Sequence, residues 1–136
     1  MIIIKQEAYA AMLEHARGST VEMACGIVSG RLEGGKRIVH RFHPIVNAAH
    51  SRDKFSLDRA ELSRAMTSLT KIGGSTVGTW FCHRDSGAVM TPYEIQTAHD
   101  RDGSYLVLSL AGSEPVLRSY RVWGGRADEE ELFIEP

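Results

Sequence analysis

One stretch of this chain leaves little freedom to the fold around it: Gly78 to Asp100, GTWFCHRDSGAVMTPYEIQTAHD. The β-branched and aromatic run Ser75 to Cys82 leads into it and reads as a strand. A polar, Gly-containing loop follows from Arg84 to Met90. Thr91-Pro92-Tyr93-Glu94 then has the residues that open a helix: Thr at N-cap, Pro at the first helical position, Glu at the third. A strand end, a short loop and a capped helix start must therefore sit side by side. That spacing brings His83, Thr91 and Glu94 within reach of one another, where a metal could be held.

The rest of the chain supplies a scaffold for that corner. Ile2 to Ile4 reads as a short strand. Lys5 to Arg17 carries Tyr9, Met12, Leu13 and Ala16 along one helical stripe, with Gly18 as its stop. Met23 to Ser29 and Arg37 to Phe42 read as strands joined by a turn at Gly34-Gly35, and Asn47 to Lys54 as polar loop. Asp58, with Glu61 three residues on, starts a second helix carrying Leu62, Ala65, Met66 and Leu69, stopped by Gly73-Gly74. Tyr105 to Leu110 is a continuous apolar run and hence a central strand. Pro115 to Trp123 alternates as a more exposed strand, Gly124 to Glu131 reads as turn plus a solvated acidic run, and Leu132 to Ile134 as a last strand. The expected architecture is one α+β domain over residues 1–136, a curved mixed β-sheet flanked by three helices.

Composition narrows the function. A formal net charge of −1 offers nothing that would attract nucleic acid or an anionic membrane. No apolar run approaches the roughly 20 residues of a membrane span. The opening MIII is too short for a signal peptide, so Cys25 and Cys82 read as reduced thiols of a cytoplasmic protein. His15 sits late in the first helix, where it suits the dipole, and His40, His43 and His50 form no second cluster.

Together, the strand–helix opening, the segment Ala24 to Gly30 (ACGIVSG), the second helix before a G-T strand and the loop–helix beyond resemble the JAMM (MPN-domain) metalloprotease family, including its compact prokaryotic members. The likeness covers nearly the whole chain and implies the cytidine-deaminase-like JAMM fold. It also implies an ancestral activity: zinc-dependent cleavage of isopeptide or peptide bonds at the C-terminus of ubiquitin-like proteins. In that family two His and an Asp hold Zn²⁺ with an open water position, a Glu takes the proton of that water, and a Ser assists the developing oxyanion.

Carried over by position, the motif is degenerate. The catalytic Glu falls on Met23, the first His on Phe81, the second on His83, the Pro on Arg84, the Ser on Thr91 and the Asp on Glu94. Phe81 has no lone pair, and Arg84 adds a permanent positive charge that opposes a divalent cation. Of the nearby substitutes, Cys82 alternates away from His83, and His99 stands about 140° round a helix from Glu94. Asp85 remains as a third ligand beside His83 and Glu94. The resemblance thus implies two readings. In the first, zinc hydrolysis is lost, no cofactor is expected, and the domain binds a protein: a ubiquitin-like sulfur carrier or a JAMM homologue. In the second, an active metallopeptidase uses zinc on His83, Glu94 and Asp85, with Thr91 assisting and Glu22 as base. That base requires a β-bulge to turn Glu22 inward. A zinc nucleoside deaminase is excluded, because it needs a Pro-Cys-x-x-Cys element and the two cysteines here are 57 positions apart. Strand 115–123, read as an edge, could support a homodimer. With no metal, Arg84 is expected to pair with Glu94, directly or bridged by His83, in a pocket lined by Phe81 and Trp80.

Overall fold

The computed structural model describes residues 1–136. In chain order its elements are β1 (Ile2–Lys5), α1 (Gln6–Gly18), β2 (Cys25–Glu33), β3 (Lys36–Ile45), α2 (Arg59–Lys71), β4 (Ser75–His83), α3 (Pro92–Thr97), β5 (Ser104–Ser109), β6 (Val116–Trp123), β7 (Arg126–Glu130) and β8 (Leu132–Glu135). All eight strands join one mixed sheet, in the order β7-β6-β5-β4-β2-β3-β1-β8. The two edge strands, β7 and β8, are consecutive in the chain and separated by Glu131 alone. A flat sheet of this width would hold its edges about 34 Å apart at ~4.8 Å per strand. The sheet is therefore curled until it is nearly closed.

Each face of the curled sheet has its own core. On one face Ile2, Ile4, Val28, Val39, Trp80 and Leu106 meet Ala8, Met12 and Ala16 of α1. On the other, Met23, Cys25, Phe81, Val107, Tyr105 and Tyr120 pack with Ala88 and Met90 of the loop before α3. Trp80 and Phe81 are successive residues of β4 and both are fully buried, so the pleat sends them to opposite faces. Trp80 packs edge-on to Phe42, with ring centres 4.8 Å apart, on the α1 side. It does not line the pocket beside Phe81, contrary to expectation. Gly30 lies at a register shift of β2, where a Cβ would come within 1.7 Å of the Ile38 carbonyl oxygen. Only glycine fits that approach.

Sequence and structure part at several elements. The acidic run is not a solvated turn: residues 126–130 form β7, paired antiparallel to β6. Glu130 turns inward and accepts hydrogen bonds from the hydroxyls of Ser104 (2.6 Å) and Ser119 (2.8 Å), which makes its burial tolerable. With β7 in place, β6 lies between β5 and β7 and is not an edge, so it offers no free ladder to a second copy. The stripe of α2 is shallow as well. Leu69 is its one buried residue, and Met66 remains 44% exposed. No helix is long and apolar enough to cross a membrane.

The loop 47–57 is the least regular segment that bears on the site, and one buried side chain organises it. The Asn47 amide donates to the carbonyls of Met23, Ser51 and Lys54 and accepts from the backbone N–H groups of Ala49 and Ser56. This latch holds Phe55 stacked on Phe81, ring centres 4.6 Å apart. Asn47→Ala is expected to cost about 1–3 kcal/mol, because it leaves buried backbone groups unpaired. Chemical denaturation should show the loss, with faster amide exchange confined to residues 47–57.

Candidate functional site

The candidate site forms where β4 ends and α3 begins. His83 is the last residue of β4, 7% exposed, and Glu94 in the first turn of α3 is 3% exposed. The helix starts as its sequence dictates. The Glu94 N–H donates to Thr91 Oγ1 (3.2 Å), and the Thr91 N–H donates to Glu94 Oε1 (2.9 Å). The same carboxylate also serves His83. The imidazole Nε2 lies 2.8 Å from Oε2 and 3.0 Å from Oε1, while Nδ1 lies 2.8 Å from the Gly87 carbonyl oxygen. A carbonyl only accepts, so Nδ1 carries a proton; Nε2 facing a carboxylate calls for a second.

The energetics of the ring agree with that geometry. Burial by itself would lower the His83 pKa, but the hydrogen bond to Glu94, the bond to the Gly87 carbonyl and the charge of Glu94 together raise it above the ordinary histidine value. The raised value favours an imidazolium facing a carboxylate, the two closed on each other in an almost dry site. Phe81 tilts beside the ring, centroids 5.7 Å apart, and is itself fully buried.

Other residues singled out from the sequence stand elsewhere. Arg84 does not reach Glu94. Its Nη1 donates to the carbonyl oxygens of Ala16 (2.8 Å) and Ser19 (2.9 Å), capping the last turn of α1. A guanidinium beside a buried carboxylate is what charge balance alone suggests, but His83 already supplies that charge, and Arg84 is free to close a helix end that needs donors. Asp85 is exposed and faces Arg52 at 3.6 Å, away from the His83–Glu94 pair. Glu22 lies before β2 and pairs with His50 at 3.0 Å. The register shifts of β2 fall at Val28–Gly30, so no bulge turns Glu22 inward. His99 is exposed, beyond the end of α3. The position given to the catalytic Glu holds Met23, packed in the core with Phe81.

Zinc does not fit this donor set. Of the positions matched to ligands, only His83 and Glu94 carry donor atoms, and each already satisfies the other. No three His, Cys, Asp or Glu side chains converge anywhere to hold a metal ion. The thiols add nothing, since Cys25 and Cys82 are buried in different cores and burial raises them to about 12 and about 11. Sequence reasoning missed Asn47 and Phe55. A lone aromatic behind a polar loop was the only signal for either.

Known proteins resemble this chain along nearly its whole length. A Desulfitobacterium hafniense protein, DSY2949, has a solution structure matching 99% of this chain and 93% of its own, at TM-score 0.92 and 32% identity. At that identity and coverage the two chains belong to one family. Proteins called CysO-cysteine peptidase from Mycobacterium bovis and Mycobacterium tuberculosis are 28% identical over 135 residues, 98% of this chain and 91% of theirs. This similarity supports a peptidase-like, JAB-type family for the chain. A Salinibacter ruber protein, 17% identical at TM-score 0.72, shares the fold. No protein-family model matches the chain.

Two measurements check the ion pair. In ¹⁵N-edited spectra at neutral pH both ring nitrogens of His83 should be protonated, with a titration midpoint above ~6.5. The sign for stability follows: the pair's contribution is full below that ordinary value and is lost as pH rises through the raised one. Glu94→Gln should drop the midpoint below ~6.5, since burial then dominates, and destabilise the fold by about 1–3 kcal/mol.

Proposed function

We propose that this chain is a JAMM-type domain that has given up zinc-dependent hydrolysis and serves as a protein-binding module. The observation that carries the reading is the closed His83–Glu94 pair beside buried Phe81, where the motif calls for two His and an Asp around a metal. Hydrolysis by this family needs a Lewis acid with an open position and a base beside it. Met23 supplies no base, and the side chains at positions 83 and 94 are each other's partners. The partner that the resemblance to the family implies first is a ubiquitin-like sulfur carrier. A JAMM homologue is the other partner the resemblance implies. A cytoplasmic setting suits two free, buried thiols.

A second reading is favoured by one observation, the 28% identity to CysO-cysteine peptidase along 98% of the chain. On that reading the chain is an active peptidase whose ligand set has shifted to include Asp85. The two readings separate by elemental analysis and turnover. Protein purified without chelators should hold far less than one zinc per chain and release no cysteine from a sulfur carrier bearing a C-terminal cysteine, with or without added Zn²⁺. One zinc per chain that disappears in His83→Ala, together with turnover, would establish the second reading.

The backbone of the site should still support a metal when donors are returned. His83 retains the Gly87 carbonyl contact that orients a ligating imidazole. Met23→Glu with Phe81→His, leaving Arg84 in place to hold α1, is expected to bind about one zinc per chain. The variant should be less stable than the parent, since both new side chains enter a dry core. Zinc uptake is the readout; a folded variant that takes up none would refute the matching of motif positions.

A further inference from the structure

A cavity of about 510 Å³ opens on the face of the sheet that carries Phe81, between the start of α2, loop 54–57, the end of α3 and the first residue pairs of β4 and β5. We propose that it is a binding site for a small, largely apolar organic molecule that carries no negative charge. Phe81 and Glu94 belong to both this cavity and the candidate site, but the inference needs neither a metal nor turnover.

Its size lies within the range of about 300–1,000 Å³ that small organic ligands occupy. The walls are mostly aromatic and aliphatic: Phe55, Phe81, Tyr93, Tyr105, Leu62 and Met90. They are also held in place before any ligand arrives. Phe55 is stacked on Phe81, and the Asn47 latch fixes the loop that carries it. The Tyr105 hydroxyl accepts from the Asp100 N–H at 2.9 Å, tying the chain at the mouth to the floor. A pocket fixed in this way spends little of its binding energy on ordering.

Charge selects the ligand. The lining contains the carboxylates Glu94 and Asp100, the imidazole of His99, which is exposed at the mouth, and no lysine or arginine. The negative charge of Glu94 is answered by His83 on its far side, and one oxygen of Asp100 accepts the Asp102 and Gly103 N–H groups. Lys54 is the neighbouring ammonium, and it rests over the Tyr93 ring, 5.0 Å from the centre, outside the lining. An anionic ligand would meet aromatic faces, which are negative, and a carboxylate. A cationic one gains from both, and a neutral one is repelled by neither.

Two naphthalene dyes of similar size separate the cases: neutral 6-propionyl-2-dimethylaminonaphthalene and anionic 8-anilinonaphthalene-1-sulfonate. The neutral dye should bind at one site per chain with a blue-shifted emission, and the sulfonate about tenfold more weakly or worse. Ala98→Trp, which pushes an indole into the cavity from the end of α3, should weaken the neutral dye by about tenfold or more while the far-ultraviolet spectrum and Tm hold. If that variant does not fold, Leu62→Trp from half-buried α2 decides in its place. Met66→Ala, on the exposed face of α2, should change nothing. No saturable binding of the neutral dye, equal or tighter binding of the sulfonate, binding indifferent to the filled cavity, or binding lost in Met66→Ala would each overturn the proposal.

Discussion

A single residue, Glu131, stands between the strand at one margin of the sheet and the strand at the other, and the rest of the architecture follows from that short connection. A sheet of eight strands cannot bring its margins so close without curling, and a curled sheet has an inside and an outside. α1 fills the first with Ala8, Met12 and Ala16. The outside is left to shorter pieces: the loop before α3, α3 itself and the strap that carries Phe55. A site made from short pieces depends on local hydrogen bonds to stay in shape, which is why Asn47, Thr91 and Glu94 each make several.

Glu94 shows how closely helix formation and site chemistry are joined here. One carboxylate closes the first turn of α3 and receives the His83 proton. A neutral residue in its place would weaken the helix start and strand the imidazolium together. Phe81, beside them, does two things in the same way. It stands beside the imidazole with no donor atom of its own, and it offers a ring on which Phe55 stacks, which makes a firm aromatic wall.

Much of the fold was legible because it rests on short-range pattern. The capped starts of α2 and α3, the Gly34-Gly35 turn and the apolar run of β5 all announce themselves within a few residues. What escaped depends on partners far away in the chain. β7 looks like a solvated acidic turn until Ser104 and Ser119 are brought beneath Glu130. Arg84 seems destined for the carboxylate ten residues on, yet it serves carbonyls 65 and 68 residues earlier. The site was half legible: spacing put His83 and Glu94 together, and comparison with a motif marked Met23 and Phe81. Only a lone aromatic behind a polar loop hinted at Asn47, and strict alternation of a strand could have supplied the separate directions of Trp80 and Phe81.

The position of Arg84 has a consequence for the history of such a chain. On the reading proposed above, Arg84 stands where the family's motif has proline, and its side chain fastens the final turn of the first helix. Exchange at that position no longer tunes a catalytic corner alone; it loosens the frame. A lineage that had drifted this way would find the return path uphill, because each step toward the old motif gives up stability before any chemistry comes back. On that reading, structural reuse of a vacated position acts as a ratchet, with the guanidinium on the end of α1 as its pawl.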